Sequence, residues 1–338
     1  MEKTKLSMYR SYRKLLHNYL GSNREEALHC ARQWSKKMID QDMSPEEMVS
    51  LHVAVFKELV AELPMETIDS FDLLLEVMNG YGRAHREHLN LRDRQRQLDA
   101  ELEIAARMQK SLLQENKLNV KGVDFGVISV PAGIMSGDYY HYDIDDHGHI
   151  GVAVADVIGK GIPAAMCMSM IKYAMDMLPA QRLRPGTILQ NLNRVVARNI
   201  DDDMFITMTY GSYNPECHHF CFASAGHEPG FIYSANTDMF HDMETKGIVL
   251  GVSPNVAYQE YTISLRHKGD FIVLLSDGVT ETRINGQFLE RNHIIQLIRK
   301  YIHLPAQTIV EQVHSEMEKI QGFQRNDDFT LMILRRNV

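Results

Sequence analysis

The sequence predicts an α+β protein: an N-terminal all-α helical bundle, a linker helix, and a C-terminal sandwich of β-sheets covered by helices. Up to about Gly82 the apolar residues recur at helical spacing, whereas beyond about Lys121 they alternate or form short continuous runs, as in buried strands. The chain has 338 residues, a length that favours two domains over one. We therefore expect a helical partner-binding domain over residues 1–83, a linker helix over 84–119 and the sandwich over 120–338.

Composition argues against several classes of protein. The formal net charge is -8, which disfavours a nucleic-acid partner because such proteins need a basic surface to displace phosphate counterions. No stretch approaches the roughly 20 apolar residues of a membrane span. The four cysteines are too sparse for a disulfide framework and form no C-x-x-C pair: Cys30, Cys167, Cys217 and Cys221. We expect a soluble, cytoplasmic protein that binds neither nucleic acid nor membrane.

The N-terminal segment carries clear helix signals. Ser44-Pro45-Glu46-Glu47 provides an N-cap, a proline at the first helical position and a glutamate that can close a capping box. The apolar positions that follow share one helix face, as in a small bundle: Met48, Leu51, Val55 and Leu59. The segment has no catalytic grouping, so it is either a structural domain or a module that binds a partner.

A charged, proline-free stretch from Ala84 to Leu113 predicts the linker helix. A heptad assignment gives a seam that is half polar. Position d takes Leu91, Leu98, Ala105 and Leu112, and position a takes His88, Gln95, Leu102 and Gln109. Polar a positions specify register at a cost in stability, so this coiled coil would be marginal and could pair conditionally, as a homodimer. The alternative is a single, solvated helix.

Apolar runs in the C-terminal part predict buried strands. They lie at residues 150–155, 205–213, 220–224, 231–234, 271–275 and 329–334. Residues 162–178 and 185–200 have helical spacing instead. Sheets inside and helices outside are the simplest architecture for this order of elements.

Aspartates recur where a predicted strand meets a tight turn: Asp138, Asp156, Asp277, Asp327 and Asp328. A single aspartate in this setting is usually a turn former or a helix cap. Several that converge would repel one another and would be costly to bury without a cation. Because these candidate ligands are all oxygen, with no histidine or cysteine at metal spacing, they indicate two hard cations, Mn²⁺ or Mg²⁺, rather than zinc. Such a pair of ions could activate a water molecule and clamp a phosphate.

Five motifs follow one another in a specific order. They are Ser-Gly-Asp-Tyr-Tyr (136–140), Ala-Asp-Val-Ile-Gly-Lys-Gly-Ile-Pro-Ala-Ala (155–165), Ser-Ala-Gly-His-Glu-Pro (224–229), Ser-Asp-Gly-Val-Thr-Glu (276–281) and Asp-Asp-Phe-Thr (327–330). This set resembles the PPM-type metal-dependent serine/threonine phosphatases, in their bacterial SpoIIE-like branch, over roughly Val120 to the C-terminus. The resemblance implies a PPM-type α/β/β/α sandwich with a two-metal centre at one edge, and an enzyme that hydrolyses phosphoserine or phosphothreonine on a protein.

The resemblance also implies roles for individual residues. Asp156 should bridge the two metals beside the carbonyl of Val157, and Asp138 should join one metal. Asp277 and Asp327 should join the other, with Asp328 as the alternative for the last position. The catalytic set would then be Asp138, Asp156, Asp277 and Asp327. Many relatives have Asp-Gly-His-Gly where this chain has Asp-Val-Ile-Gly at 156–159, so no histidine of that loop can serve as the general acid.

Three further features are weaker evidence for function. Gly159 and Gly161 permit a tight turn into the next helix, whose N-terminus could favour an anion. His227 either orients the loop beside the site or is a structural turn histidine. The run Cys-His-His-Phe-Cys at 217–221 does not indicate zinc, because on a strand His218 points away from the face shared by the other polar residues.

Partners are implied by the resemblance as well. The substrate would be a phosphorylated, RsbV-like anti-anti-sigma protein with a single STAS domain, and its dephosphorylation would release a stress sigma factor. An RsbT-like switch kinase of the GHKL family would bind the N-terminal domain and stabilise a homodimer through the linker helix.

Two other functions remain open from the sequence. A non-catalytic signalling scaffold could bind a phosphoprotein through a phosphatase-like domain, although retention of all the aspartates disfavours it. A metal-dependent hydrolase of a small phosphate ester would use the same metal site, although the N-terminal domain and the linker favour a protein substrate.

Overall fold

The structure is a computed structural model, and it describes most of the chain. The described residues are 2–21, 24–39, 43–60, 62–112, 118–159, 161–178, 184–200, 204–280, 283–284, 287–288, 291–321 and 327–337. Lys160, Glu281 and the last residues of the predicted linker, 113–117, lie outside the described residues.

Helices occupy the N-terminal part and the two outer layers of the C-terminal part. In chain order they are α1 (Glu2–Leu20), α2 (Arg24–Ile39), α3 (Pro45–Leu59), α4 (Met65–Leu112), α5 (Ile162–Asp176), α6 (Pro185–Asn199), α7 (Asp277–Thr280), α8 (Arg291–Tyr301) and α9 (Ala306–Gln321).

Antiparallel strands form two five-stranded sheets and a small hairpin. The strands are β1 (Val123–Val130), β2 (Asp138–Ile144), β3 (Ile150–Val157), β4 (Ile206–Asn214), β5 (His219–Ala225), β6 (Phe231–Ser234), β7 (Met239–Asp242), β8 (Tyr261–Ser264), β9 (Phe271–Leu275), β10 (Arg283–Ile284), β11 (Gln287–Phe288) and β12 (Phe329–Arg336). One sheet has the order β2-β3-β4-β5-β8, the other β1-β12-β9-β6-β7, and β10 pairs with β11.

Alternation along the central strands explains the four-layer arrangement. In β3, Val152 and Val154 belong to the core between the two sheets, whereas Ala153 and Ala155 belong to the core under α5 and α6. In β9, alternate residues likewise face the other sheet or the layer of α8 and α9. Because successive side chains of a strand point to opposite faces, a strand covered on both sides becomes a continuous apolar run. The predicted α/β/β/α sandwich is confirmed.

The N-terminal helices have a small core of their own. Tyr12, Leu16 and Val55 are buried there, and the rings of Tyr12 and Trp34 lie 4.9 Å apart between centroids. The predicted stripe on α3 packs against this core. The capping box also forms, since the backbone N–H of Glu47 donates to Ser44 Oγ at 3.3 Å.

The helix α4 is continuous through the predicted boundary at residue 83, and it runs for 48 residues. The chain divides into two compact units, Met1–Asp99 and Ala100–Val338, so the division falls within α4. Within the first unit, Gly82 allows α4 to approach the carboxyl group of Glu46, which Arg86 also contacts. Among the described residues, no helix is long and apolar enough to cross a membrane.

Two glycines of α4 should respond differently to replacement by alanine. Open space surrounds Gly80, whereas a Cβ on Gly82 would lie 1.9 Å from Glu46 Oε2. Gly80→Ala should stabilise the helix by about 0.5–1 kcal/mol, since glycine in a helix interior costs roughly that amount relative to alanine. Gly82→Ala should stabilise it less, because its Cβ would displace the Glu46 carboxylate from its ion pair with Arg86. Thermal unfolding followed by helical circular dichroism measures both, and equal shifts of the two variants would contradict the packing seen at Gly82.

Candidate active site

The first pair of predicted site residues lies on neighbouring strands of one sheet. Asp138 begins β2 and is directly opposite Asp156 of β3, which is in turn opposite Thr207 of β4. Directly opposite residues in antiparallel strands have Cα atoms about 4.5–5.5 Å apart and side chains on the same face. The fold therefore brings these two carboxylates together at one end of the sheet.

The second group comes from the other sheet. Asp277 begins α7, two residues after the end of β9, and Asp327 and Asp328 directly precede β12, which pairs antiparallel with β9. A Cβ on Gly278 would lie 1.9 Å from the carbonyl oxygen of Asp328 and 3.3 Å from Asp327 Cβ. Only glycine permits this approach, and the Asp277 turn thus packs against the chain at residues 327–328.

Hydrogen bonds join the two groups across the sandwich. Thr330 Oγ1, on β12, donates to Asp138 Oδ2 at 2.6 Å. Ser276 Oγ in turn accepts from the backbone N–H of Thr330 at 3.0 Å and donates to the Asp328 carbonyl at 3.3 Å. Asp138 is 1% exposed, so these side chains replace the water that would otherwise solvate it.

Asp328 has a different environment from Asp327. Its Oδ1 accepts from the backbone N–H of Ala132 at 2.7 Å, and its Oδ2 accepts from the N–H groups of Gly137 at 2.5 Å and Asp138 at 3.4 Å. Asp327 is exposed, and its Oδ1 accepts the backbone N–H of Asp328 at 3.0 Å. Asp328 therefore holds the loop that leads into β2, and Asp327 is left at the surface of the site.

Electrostatics at this edge disfavour charge on Asp138. Burial raises its pKa well above its usual range, and the carboxylate of Asp156 adds to the rise, while hydrogen bonds from Thr330 and Ser276 oppose it. A buried carboxyl group beside a second carboxylate is unfavourable when ionised. A divalent cation between them would reverse this effect.

The residues present fit such a cation. A Cβ on Gly137 would lie 3.1 Å from the Val157 carbonyl oxygen and 3.5 Å from Asp156 Oδ1, so the missing side chain leaves space beside two oxygen atoms of candidate ligands. Within the described ranges, no three Asp, Glu, His or Cys side chains converge into a closed metal-binding group. Mg²⁺ usually retains several waters and needs only one or two carboxylates, which is compatible with this open arrangement.

A glutamine that the sequence placed on the coiled-coil seam contacts the site loop instead. Gln109 of α4 is buried, its Oε1 accepts the backbone N–H of Ser136 at 3.0 Å, and its Nε2 donates to the Ser136 carbonyl at 2.6 Å. Ser136 lies two residues before Asp138. The end of α4 therefore holds the same loop as Asp328, and only the fold reveals this contact.

A cavity of about 250 Å³ opens beside the carboxylates. Its apolar wall includes Leu102, Ile134 and Met135, and its polar side includes Asp327 and Asp328. The cavity lies within the second compact unit and gives a bound group access to the acidic edge.

The loop after β3 turns as predicted. Gly159 and Gly161 have φ values of 123° and 77°, a region that L side chains rarely adopt. Gly161 is the N-cap of α5, and no side chain caps that helix. Gly161 also lines the cavity.

The raised pKa of Asp138 predicts a pH dependence of folding in the metal-free protein. Because its pKa is higher in the folded than in the unfolded state, its contribution to stability is full at low pH and is lost as the pH rises through the folded-state pKa. Asp138→Asn cannot ionise and should lack this loss, so its free energy of unfolding should exceed that of the wild type at neutral pH. Denaturant titrations with a chelator over a pH series measure this, and parallel pH profiles of the two proteins would contradict it.

Comparisons with known proteins agree with this geometry. The family described as "Stage II sporulation protein E (SpoIIE)" matches residues 146–337, and the family described as "Phosphoserine phosphatase RsbU, N-terminal domain" matches residues 10–84. "Phosphoserine phosphatase RsbU" of Bacillus subtilis (strain 168) is 49% identical over 327 residues, which are 97% of each chain.

Solved structures show the same fold for the second unit. The SiaA-PP2C domain of Pseudomonas aeruginosa superposes with a TM-score of 0.63 at 17% identity, covering 71% of this chain and 98% of that domain. The PP2C phosphatase domain of SpoIIE from Bacillus subtilis, with a fragment of its regulatory domain, gives a TM-score of 0.53 at 19% identity, with 64% and 62% covered. With two matching family domains and a relative of nearly equal length at 49% identity, this chain belongs to the RsbU family of PPM-type phosphoserine phosphatases.

Proposed function

We propose that this protein is a metal-dependent phosphatase that dephosphorylates an RsbV-like anti-anti-sigma protein with a STAS domain, and that an RsbT-like switch kinase activates it. The observation that supports the chemistry is that two sheets place carboxylates at one edge of the sandwich: Asp138 lies opposite Asp156 in one sheet, and the turn at Asp277 packs against residues 327–328 in the other. The relative named phosphoserine phosphatase RsbU supports phosphoserine as the group acted on.

In this proposal each residue of the edge has a distinct role. Asp156, with the Val157 carbonyl beside it, would hold both ions, Asp138 would join one of them, and Asp277 and Asp327 would join the other. Mn²⁺ or Mg²⁺, when bound, lowers the pKa of water and neutralises phosphate oxygens. Asp328 is better assigned to the loop, because three backbone N–H groups already occupy its carboxylate.

The chain's own residues orient and shield these ligands. Thr330 fixes the rotamer of Asp138 through its hydrogen bond. Gln109 and Asp328 together hold the loop of residues 132–138 from both sides. The cavity walled by Leu102, Ile134 and Met135 would receive the protein segment next to the phosphoserine. A small phosphate ester would leave this apolar wall unused.

The N-terminal unit and α4 are the parts of the chain proposed to regulate the phosphatase activity. The match to the RsbU N-terminal domain over residues 10–84 supports an RsbT-like kinase as the partner of this unit. On α4, Leu91 and Leu98 occupy predicted d positions and are 62% and 53% exposed. Exposed leucines at this spacing are typical of a seam that a second copy covers. We propose that kinase binding stabilises a homodimer there, in the cytoplasm, and so turns on the stress sigma factor.

The chemistry is tested by phosphate release from a phosphoserine STAS-domain protein with Mn²⁺. Asp156→Asn, Asp277→Asn and Asp327→Asn should each lower the rate by more than the roughly 10- to 100-fold typical of losing a group that only supports a metal ligand. Asp143→Asn is the matched control, because Asp143 is an exposed aspartate at the other end of β2. Wild type that binds Mn²⁺ and the kinase but releases no phosphate would instead support the non-catalytic scaffold.

Regulation through α4 is tested by changing its exposed leucines. Burying a leucine contributes about 1.5–3 kcal/mol, so Leu91→Glu with Leu98→Glu should abolish a marginal pairing and with it the kinase-stimulated rate. The basal rate should stay unchanged, and Gln97→Glu, at heptad position c, should keep stimulation. Dimer formation by sedimentation and phosphate release are measured with and without the kinase. Full stimulation of the double variant would remove the coiled coil from the mechanism.

A further inference from the structure

The loop after β5 carries the motif Ser-Ala-Gly-His-Glu-Pro and crosses from one sheet to the other. β5 belongs to the sheet of Asp138 and Asp156, whereas β6, which follows the loop, pairs with β9 in the other sheet. Gly226 has a φ of 67°, a left-handed conformation that lets the chain turn sharply after β5. A side chain of this crossing loop can therefore connect the two groups of proposed metal ligands.

The helix α7, which begins at Asp277, depends on contacts outside itself. It has four residues, and a single helical turn is not stable alone, because nucleation costs more than its few hydrogen bonds return. Gly278 packs against the carbonyl group of Asp328, and Val279 is buried in the core shared with α8 and α9. The last residue, Thr280, is 8% exposed, so its hydroxyl group needs partners within the protein.

Thr280 attaches α7 to the crossing loop. Its hydroxyl oxygen lies 3.1 Å from the carbonyl oxygen of Asp277 and 3.4 Å from Glu228 Oε1, so the hydroxyl proton is shared between two acceptors. Residues three apart in a helix lie on one face, which places Thr280 on the same face of α7 as Asp277. The carboxylate of Glu228 therefore contacts α7 on the face that carries the proposed ligand.

Arg291 holds the Glu228 carboxylate in place. The two side chains form an ion pair, and the guanidinium group also donates to the Pro229 carbonyl at 2.6 Å and to Asp242 Oδ1 at 3.1 Å. Its Cζ lies 4.4 Å from the centroid of the Phe231 ring. An exposed ion pair alone contributes little, but a planar guanidinium group with several acceptors and an aromatic ring beneath it has few alternative orientations.

The same carboxylate meets both ends of the connection between two helices. Thr280 ends α7 and Arg291 begins α8, and both contact Glu228 Oε1. Because the departure from α7 and the return into α8 are held at one point, α7 cannot shift without breaking the contacts of Glu228.

We propose that Glu228 is a positioning residue that fixes α7 to the loop joining the two sheets, and so sets the place of Asp277 relative to Asp156. The inference rests on the proposed metal ligands and adds a residue that acts through Thr280 rather than through the metal or the substrate. Supporting residues around metal ligands typically change metal affinity by about 10- to 100-fold when removed. Because Glu228 acts at one step further, we expect a loss of about 10-fold.

The test measures Mn²⁺ binding by calorimetric titration of the metal-free, full-length protein without substrate. Glu228→Ala removes the carboxylate, and Thr280→Val keeps the shape of the side chain but removes its hydroxyl group. Each should weaken Mn²⁺ binding about 10-fold, and the double variant should be little worse than either single one, because both changes break one connection. Thr280→Ser keeps the hydroxyl group and should bind Mn²⁺ nearly as tightly as wild type.

A matched control lies two turns further along α8. Arg299 pairs with Asp238 at 2.7 Å, donates to the Asp238 carbonyl at 3.0 Å and lies 5.5 Å from the centroid of the Phe240 ring. It repeats the chemistry of Arg291, but Asp238 lies in the turn between β6 and β7 instead of the crossing loop. Arg291→Met should weaken Mn²⁺ binding because Glu228 loses its support, whereas Arg299→Met should not. The melting temperature of each metal-free variant records any general loss of stability.

Two results would overturn the role of Glu228. One is unchanged Mn²⁺ affinity in both Glu228→Ala and Thr280→Val, and the other is an equal loss of affinity in Arg299→Met. If Glu228→Ala does not fold, the comparison of Thr280→Val with Thr280→Ser decides. A wild type that binds no Mn²⁺ would overturn the metal centre and this inference together. Because the titration contains no substrate, the positioning role and the proposed hydrolysis fail in separate experiments.

Discussion

The close approach of carboxylates from two different sheets is the constraint on which the rest of this site depends. Asp138 and Asp156 are directly opposite on neighbouring strands, and the turn at Asp277 packs against residues 327–328. Like charges at this spacing repel one another, and burial strengthens the repulsion because water no longer screens it. Such an edge can persist only if protonation, hydrogen bonds or bound cations offset that cost. At Asp138, burial and the neighbouring carboxylate of Asp156 raise the pKa, which is the direction that this cost predicts.

The neighbouring polar groups are arranged to hold this edge in place. Thr330 and Ser276 solvate Asp138 from β12 and from the end of β9. Asp328 and Gln109 both bind backbone groups of the loop before β2, one through its carboxylate and the other through its amide. Because backbone N–H and C=O groups in a buried loop must find partners, the same contacts that satisfy the loop also position the proposed metal ligands.

The contact of Gln109 links the site to α4 through hydrogen bonds within one compact unit. The helix extends from Met65 to Leu112 and leaves Leu91 and Leu98 exposed, whereas Leu102 and Gln109, at the a positions of the next two heptads, line the cavity and contact the loop. One helix therefore has exposed leucines in one part and a fixed attachment to the active-site loop in another. In the proposed dimer, a change in how the helix pairs would reach Asp138 through Ser136.

The sequence by itself determined the fold class, the predicted strands and the identity of the acidic residues. Strands covered on both faces must be apolar throughout, so β3 and β9 could be predicted from their continuous apolar runs. The short edge strands β7 and β8 keep several exposed residues and have no such run. The tertiary structure alone distinguished the surroundings of Asp327 from those of Asp328, moved Gln109 from the predicted seam to the site loop, and placed His227 against Thr207 of β4. Each of these depends on partners far apart in the chain, such as Gly137 and Asp328, which are 191 residues apart. Local periodicity reports which face of an element is buried, but hydrogen bonds between distant loops exist only once the two sheets have packed.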